Sequence, residues 1–183
     1  MCAELVTTSE NKKILMVIAE KNFRDEEFLV PQKEFVSEGF NITVVSTSLR
    51  EAIGKLGAKV KPDIEIRKVK FLEYDAIVIS GGSGSKEYLW DNEILLDGIK
   101  KMFSAGKIVS AICASPVVLA RSKILSGKKA TVFPGAEEIK EIKEAGAIYT
   151  KENVTVDGNI ITANGPESSK GFARAIIKEL KYY

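Results

Sequence analysis

Cys113, Glu26 and Glu27 are the residues of this chain whose types and surroundings suggest chemistry. Cys113 sits between Ala111-Ile112 and Ala114-Ser115-Pro116, at the end of an apolar run and just before a helix start. A sharp strand-to-helix turn lifts a nucleophile above a sheet, and it needs small neighbours. Pro116 suits the first helical turn. A helix N-terminus behind the sulfur favours thiolate, so the spacing predicts a thiol pKa well below the free value of about 8.5. The plainer reading is a buried cysteine acting as a small apolar filler.

The acidic pair opens the first helix, where the helix dipole favours carboxylates, so a cap or a solvated face is its simplest role. That helix follows the first strand, and its start therefore shares a sheet edge with Cys113. One carboxylate could reach the sulfur. Burial and like charge would raise its pKa, and the protonated form could donate to S⁻ and exchange protons. The chain has no histidine, so glutamate is the natural substitute. Gly81-Gly82-Ser83-Gly84-Ser85 follows another buried run. Its glycines fall as GGxG, which is neither a phosphate loop nor a dinucleotide fingerprint. By itself it is a permissive turn; beside a nucleophile on the next strand, its backbone N–H groups could form an oxyanion hole.

These residues need a sheet to position them. Runs at 14–19 (ILMVIA), 42–46, 76–80 (AIVIS) and 108–112 read as buried parallel strands. Segments 26–38, 92–105, 137–145 and 168–180 read as helices, with Pro31 near the first turn of one and Ile94, Leu95, Ile99, Met102 and Phe103 on the apolar face of the next. The alternating segment 59–70 predicts a hairpin or an exposed edge strand, 130–133 a short strand, and 154–162 a hairpin turning at Asp157-Gly158-Asn159. The sum is an α/β three-layer sandwich, a mostly parallel sheet with helices on both faces. Residues 1–12 read as a flexible tail and 13–183 as one domain.

Composition narrows the classes. The 183 residues carry 27 basic and 25 acidic side chains, a net charge of +2. That balance points to neither nucleic acid nor membrane. No apolar run has the ~20 residues of a membrane span, and no leader segment is visible. Two cysteines and no histidine exclude a disulfide framework and a structural zinc site. The expectation is a soluble cytoplasmic protein without metal or cofactor. Cys2 has no assigned role.

The order of Glu on the first helix, strand–Gly-Gly, and strand–AICASP resembles the PfpI/DJ-one superfamily of the class I glutamine amidotransferase-like, flavodoxin-like fold. The resemblance runs over 12–180, carried by AICASPVVLA (111–120), EFLVP (27–31), ISGGSGS (79–85) and TANGPESS (162–169). It implies Cys113 as elbow nucleophile, Glu27 as its carboxylate partner, and the N–H groups of Gly82 and Ala114 as oxyanion hole. Gly81, Ser115 and Phe133 are supporting positions. It also implies self-association, as a homodimer or larger homo-oligomer. The protease-like branch places histidine directly after the cysteine, where Ala114 stands. The DJ-one-like branch often places it before a proline on the next strand, where Phe133 stands.

Three functions compete. A small aldehyde or glycated substrate could add to Cys113, with Glu27 moving protons, as in cofactor-independent glyoxalases and deglycases. Alternatively, Cys113 could sense oxidants in a stress or chaperone-like protein. An intracellular cysteine peptidase ranks last, because no histidine remains to protonate a leaving amine.

Overall fold

The buried runs assemble into one seven-stranded sheet in a computed structural model that describes residues 11–182. Cys2 and most of the expected tail lie outside the described residues. At Lys12 the chain is already tied in, its C=O accepting from Asn41 N–H at 2.9 Å.

The elements run β1 (Lys13–Val17), β2 (Lys21–Phe23), α1 (Asp25–Ser37), β3 (Asn41–Ser46), β4 (Ala52–Gly54), β5 (Lys59–Val60) and β6 (Ile64–Glu65). After two 3-10 turns come β7 (Ala76–Ile79), α2 (Gly84–Tyr88), α3 (Glu93–Ser104), β8 (Ile108–Ile112) and α4 (Pro116–Arg121). The chain continues through β9 (Lys129–Ala130), α5 (Ala136–Glu144), β10 (Ile148–Tyr149), β11 (Val154–Asp157) and β12 (Ile160–Ala163), and α6 (Ser169–Tyr182) follows a last 3-10 turn.

The main sheet has the order β11-β12-β8-β7-β1-β3-β6, and only the β11–β12 pair is antiparallel. Every residue of β7, β8 and β12 is buried. Central parallel strands covered on both faces need such continuous apolar runs. α1 packs on α6 and α3 on α4, and β8 touches α3, α4 and α6. The expected sandwich is therefore the observed one, and all the parallel strands end at a common carboxyl edge.

Local expectations shift in four places. Segment 59–70 splits at Pro62, which has no N–H for a ladder. Its first part joins β4 in a separate three-stranded sheet, and Ile64–Glu65 extends the main sheet beside β3. The expected strand at 130–133 ends at Ala130, because Phe133 N–H donates instead to the Cys113 carbonyl. Ile94 is half exposed, and the α3 face is carried by Leu95, Ile99 and Met102. Pro31 lies in the second turn of α1, beyond the positions where proline is free of cost.

Candidate active site

β8 delivers Cys113 to the carboxyl edge in a strained conformation, with φ of 63°. Non-glycine residues rarely adopt this region, and they stay there only when their surroundings over-determine it. Two neighbours do so. Cys113 N–H donates to the Ala163 carbonyl at the end of β12 (2.9 Å), and Phe133 N–H donates to the Cys113 carbonyl (2.8 Å). The next residues are pinned as well. Trp90 Nε1–H donates to Ala114 C=O at 3.1 Å. Ser115 Oγ–H donates to Ser80 C=O at 2.7 Å. With that proton committed, Ser85 Oγ, 2.7 Å away, must be the donor to Ser115 Oγ.

Glu27 comes from the first turns of α1 and is fully buried. Its Oε2 accepts from Gly81 N–H at 2.8 Å, while Oε1 has no hydrogen-bond partner. The main chain of Glu27 is fixed by an exchange. Pro31 has no N–H to give to the Glu27 carbonyl four residues back, and Ser80 Oγ–H takes that acceptor at 3.3 Å. Gly81 is required by contact: a Cβ there would lie 2.6 Å from Cys113 Cβ, from Glu27 Oε2 and from Ile112 O. Gly82 has φ of 94°, and a Cβ on it would lie 2.3 Å from Asn22 O.

The two titratable groups oppose each other. Burial pushes the Glu27 carboxyl up to about 7, against the lowering effect of its interaction with Cys113 and the Gly81 N–H. Burial, then the Glu27 charge, push the Cys113 thiol up to about 12, although hydrogen bonds from Gly82 and Ala114 N–H pull it down. The expectation of a depressed thiol pKa is therefore overturned. A helix of only six residues and two amides do not outweigh an apolar pocket that already holds a carboxylate. Burial raises both groups in one apolar pocket, so they titrate as a coupled pair.

Above Cys113 opens a cavity of about 280 Å³ lined by Gly82, Ala114, Phe133, Arg24 and Glu138, among others. The structure thus gathers Cys113, Glu27, Gly81, Gly82, Ala114, Ser115 and Phe133 at one place, with Glu27 and Gly81 behind the sulfur and Ser115 beneath it. Sequence reasoning chose Glu27 over Glu26 by resemblance alone. Burial makes the same distinction, because Glu26 faces outward in a bidentate pair with Arg24. Arg24, Lys55, Ser85, Trp90 and Glu138 were missed. Two of them carried a signal: Arg24 by its closeness in sequence to Glu27, and Ser85 as the last residue of ISGGSGS. Among the described residues, no group of three or more His, Cys, Asp or Glu could hold a metal ion, and no helix is long and apolar enough to cross a membrane.

Known proteins share this architecture. A Brachyspira murdochii ThiJ/PfpI domain protein superposes with a TM-score of 0.89 at 37% identity, covering 93% of this chain and 97% of that one. An uncharacterized protein of Methanocaldococcus jannaschii is 51% identical over 94% of this chain and 84% of its own length. A Pyrococcus horikoshii protein named deglycase PH1704 is 33% identical over 92% of this chain and 99% of its own. The sequence pattern of the DJ-1/PfpI family matches residues 12–179, and the chain belongs to that family.

Proposed function

We propose that this chain converts small reactive carbonyl compounds at Cys113, with Glu27 as the proton-transfer group. The observation that carries the reading is a buried carboxyl held near pKa 7 against an elbow cysteine that opens onto a small cavity. A pKa near the working pH suits a group that must both take and give a proton.

The simplest such substrate is a 2-oxoaldehyde. Sulfur adds to the aldehyde carbon, Glu27 takes the thiol proton, and the new oxyanion lies against the Gly82 and Ala114 N–H groups. Protonation of that oxygen gives a hemithioacetal. Glu27 then moves a proton from the former aldehyde carbon to its neighbour through an enediol. The first carbon is oxidised to a thioester and the second reduced to an alcohol. Water cleaves the thioester, which returns the thiol and releases a 2-hydroxy acid. No external oxidant or reductant enters.

The deglycase name of the Pyrococcus horikoshii relative supports carbonyl chemistry of this kind. Phe133 and Ala114 offer no base for peptide hydrolysis.

The test is methylglyoxal consumption with hydroxy-acid detection. Wild type should turn over, Cys113→Ala should be inactive, and Glu27→Gln should retain at most about one part in 10². Equal turnover in all three proteins would end the reading.

A further inference from the structure

The cavity over Cys113 has one cationic wall. Phe23 and Gly54 are register partners in the parallel β2–β4 pair, so the residues that follow them, Arg24 and Lys55, emerge side by side. Both line the cavity. Arg24 is oriented by Glu26, which takes its Nε and Nη2 at 2.8 and 3.0 Å. That leaves the Nη1–Nη2 end of the guanidinium open, a fork that matches a planar carboxylate. Lys55 is exposed, and among the described residues its ammonium has no ion-pair partner.

The loop bearing Lys55 is built into the fold. Lys55 N–H donates to Phe23 C=O at 2.9 Å. Asp25, only 5% exposed, accepts from Leu56 N–H at 2.9 Å and from Ala58 N–H at 2.7 Å. This buried carboxylate has no part in the proton transfers, and it locks the loop beside Arg24. The remaining acidic side chain of the cavity, Glu138, comes from α5, on the β12 side of Cys113. Charge across the cavity therefore runs from positive near β2–β4 to negative near α5.

We propose that Arg24 and Lys55 form a carboxylate subsite, so that the compound taken at Cys113 is a small aldehyde or ketone bearing a carboxylate. The substrate class rests on the reaction proposed above. Arg24 and Lys55 hold the carboxylate, Glu138 repels it from the opposite wall, and the carbonyl carbon is turned toward the sulfur.

Alkylation of Cys113 reads the subsite without any turnover. The probes are iodoacetate and neutral iodoacetamide, with glutathione as the free-thiol reference, at low salt and mildly alkaline pH. The iodoacetate-to-iodoacetamide rate ratio should exceed that of glutathione by about tenfold, and added salt should shrink the excess. Arg24→Gln should remove most of it. Lys55→Gln, a surface change that leaves the fold intact, should remove about threefold. A ratio no higher than that of glutathione, or one unmoved by both substitutions, overturns the subsite. Charge-selective alkylation without turnover of either methylglyoxal or a 2-oxoaldehyde bearing a carboxylate overturns the reaction and supports the subsite. Inertness to both reagents overturns both.

Discussion

The two edges of the main sheet carry hollows of opposite character. At the amino edge a hollow of about 620 Å³ is lined by Leu72, Lys100, Lys101, Phe103, Ser104, Ala105, Lys123 and Ile124. At the carboxyl edge the cavity over Cys113 measures about 280 Å³. The larger hollow is a gap between helix ends and a 3-10 turn. It contains no cysteine and no buried carboxyl, and its lysines are solvated. The smaller one holds a strained cysteine, a buried glutamate and a glycine pair that admits no side chain. Strain and buried charge are costly, and they persist only where neighbouring structure compensates. That local cost, and not volume, is the reason the carboxyl edge is the proposed working end of the sheet.

Substitutions at the two edges should therefore differ sharply. The largest effect is expected from Glu27→Gln, which should lower kcat/KM for methylglyoxal by about 10²–10⁴. The same change should stabilise the protein, with a defined pH dependence. The folded carboxyl titrates near 7 against an ordinary 4.5, so the native state binds the proton more tightly than the unfolded chain does. Wild-type stability is then full below about 4.5 and falls as pH rises to about 7, by at most ~3 kcal/mol. Melting temperatures of the two proteins should diverge across that window and run parallel above it. A constant gap would remove the buried charge from the account.

Gly81→Ala should come next. Its methyl group meets Cys113 Cβ, Glu27 Oε2 and Ile112 O at 2.6 Å each, and a loss of about 2–4 kcal/mol is expected by chemical denaturation. Ser115→Ala strands the Ser80 carbonyl and the Ser85 hydroxyl in a buried position, for about 1–3 kcal/mol. At the amino edge, Lys101→Ala breaks a pair with Asp97 in which both side chains are about 60% exposed. It should shift stability by under about 0.5 kcal/mol and leave turnover unchanged. A large effect there would erase the contrast between the edges.

What the sequence disclosed follows the same division. Runs such as 76–80 and 108–112 are apolar because both faces of their strands are covered, so the central sheet was legible. The elbow was legible because a strained turn needs Ala111, Ala114 and Ser115 around Cys113. The short strands β2, β4 and β10 were not, since two or three residues carry no usable period, and β5 and β9 coincide only with the starts of the segments 59–70 and 130–133. The cavity wall was hidden for another reason. Arg24, Lys55 and Glu138 are ordinary surface residue types, and only the β2–β4 register and the placement of α5 bring them to the sulfur. The thiol pKa was misjudged because a helix start is visible in a sequence, while the desolvation that outweighs it appears only in the packed structure.

The central claim is that Glu27, its carboxyl raised by burial to about 7, takes the proton of the Cys113 thiol. The pH profile of kcat/KM for methylglyoxal tests it most directly. The account predicts a rise with a midpoint near 7 in wild type and the loss of that rise in Glu27→Gln. A rise with its midpoint at or above the free-thiol value of about 8.5, and unchanged by Glu27→Gln, would contradict it.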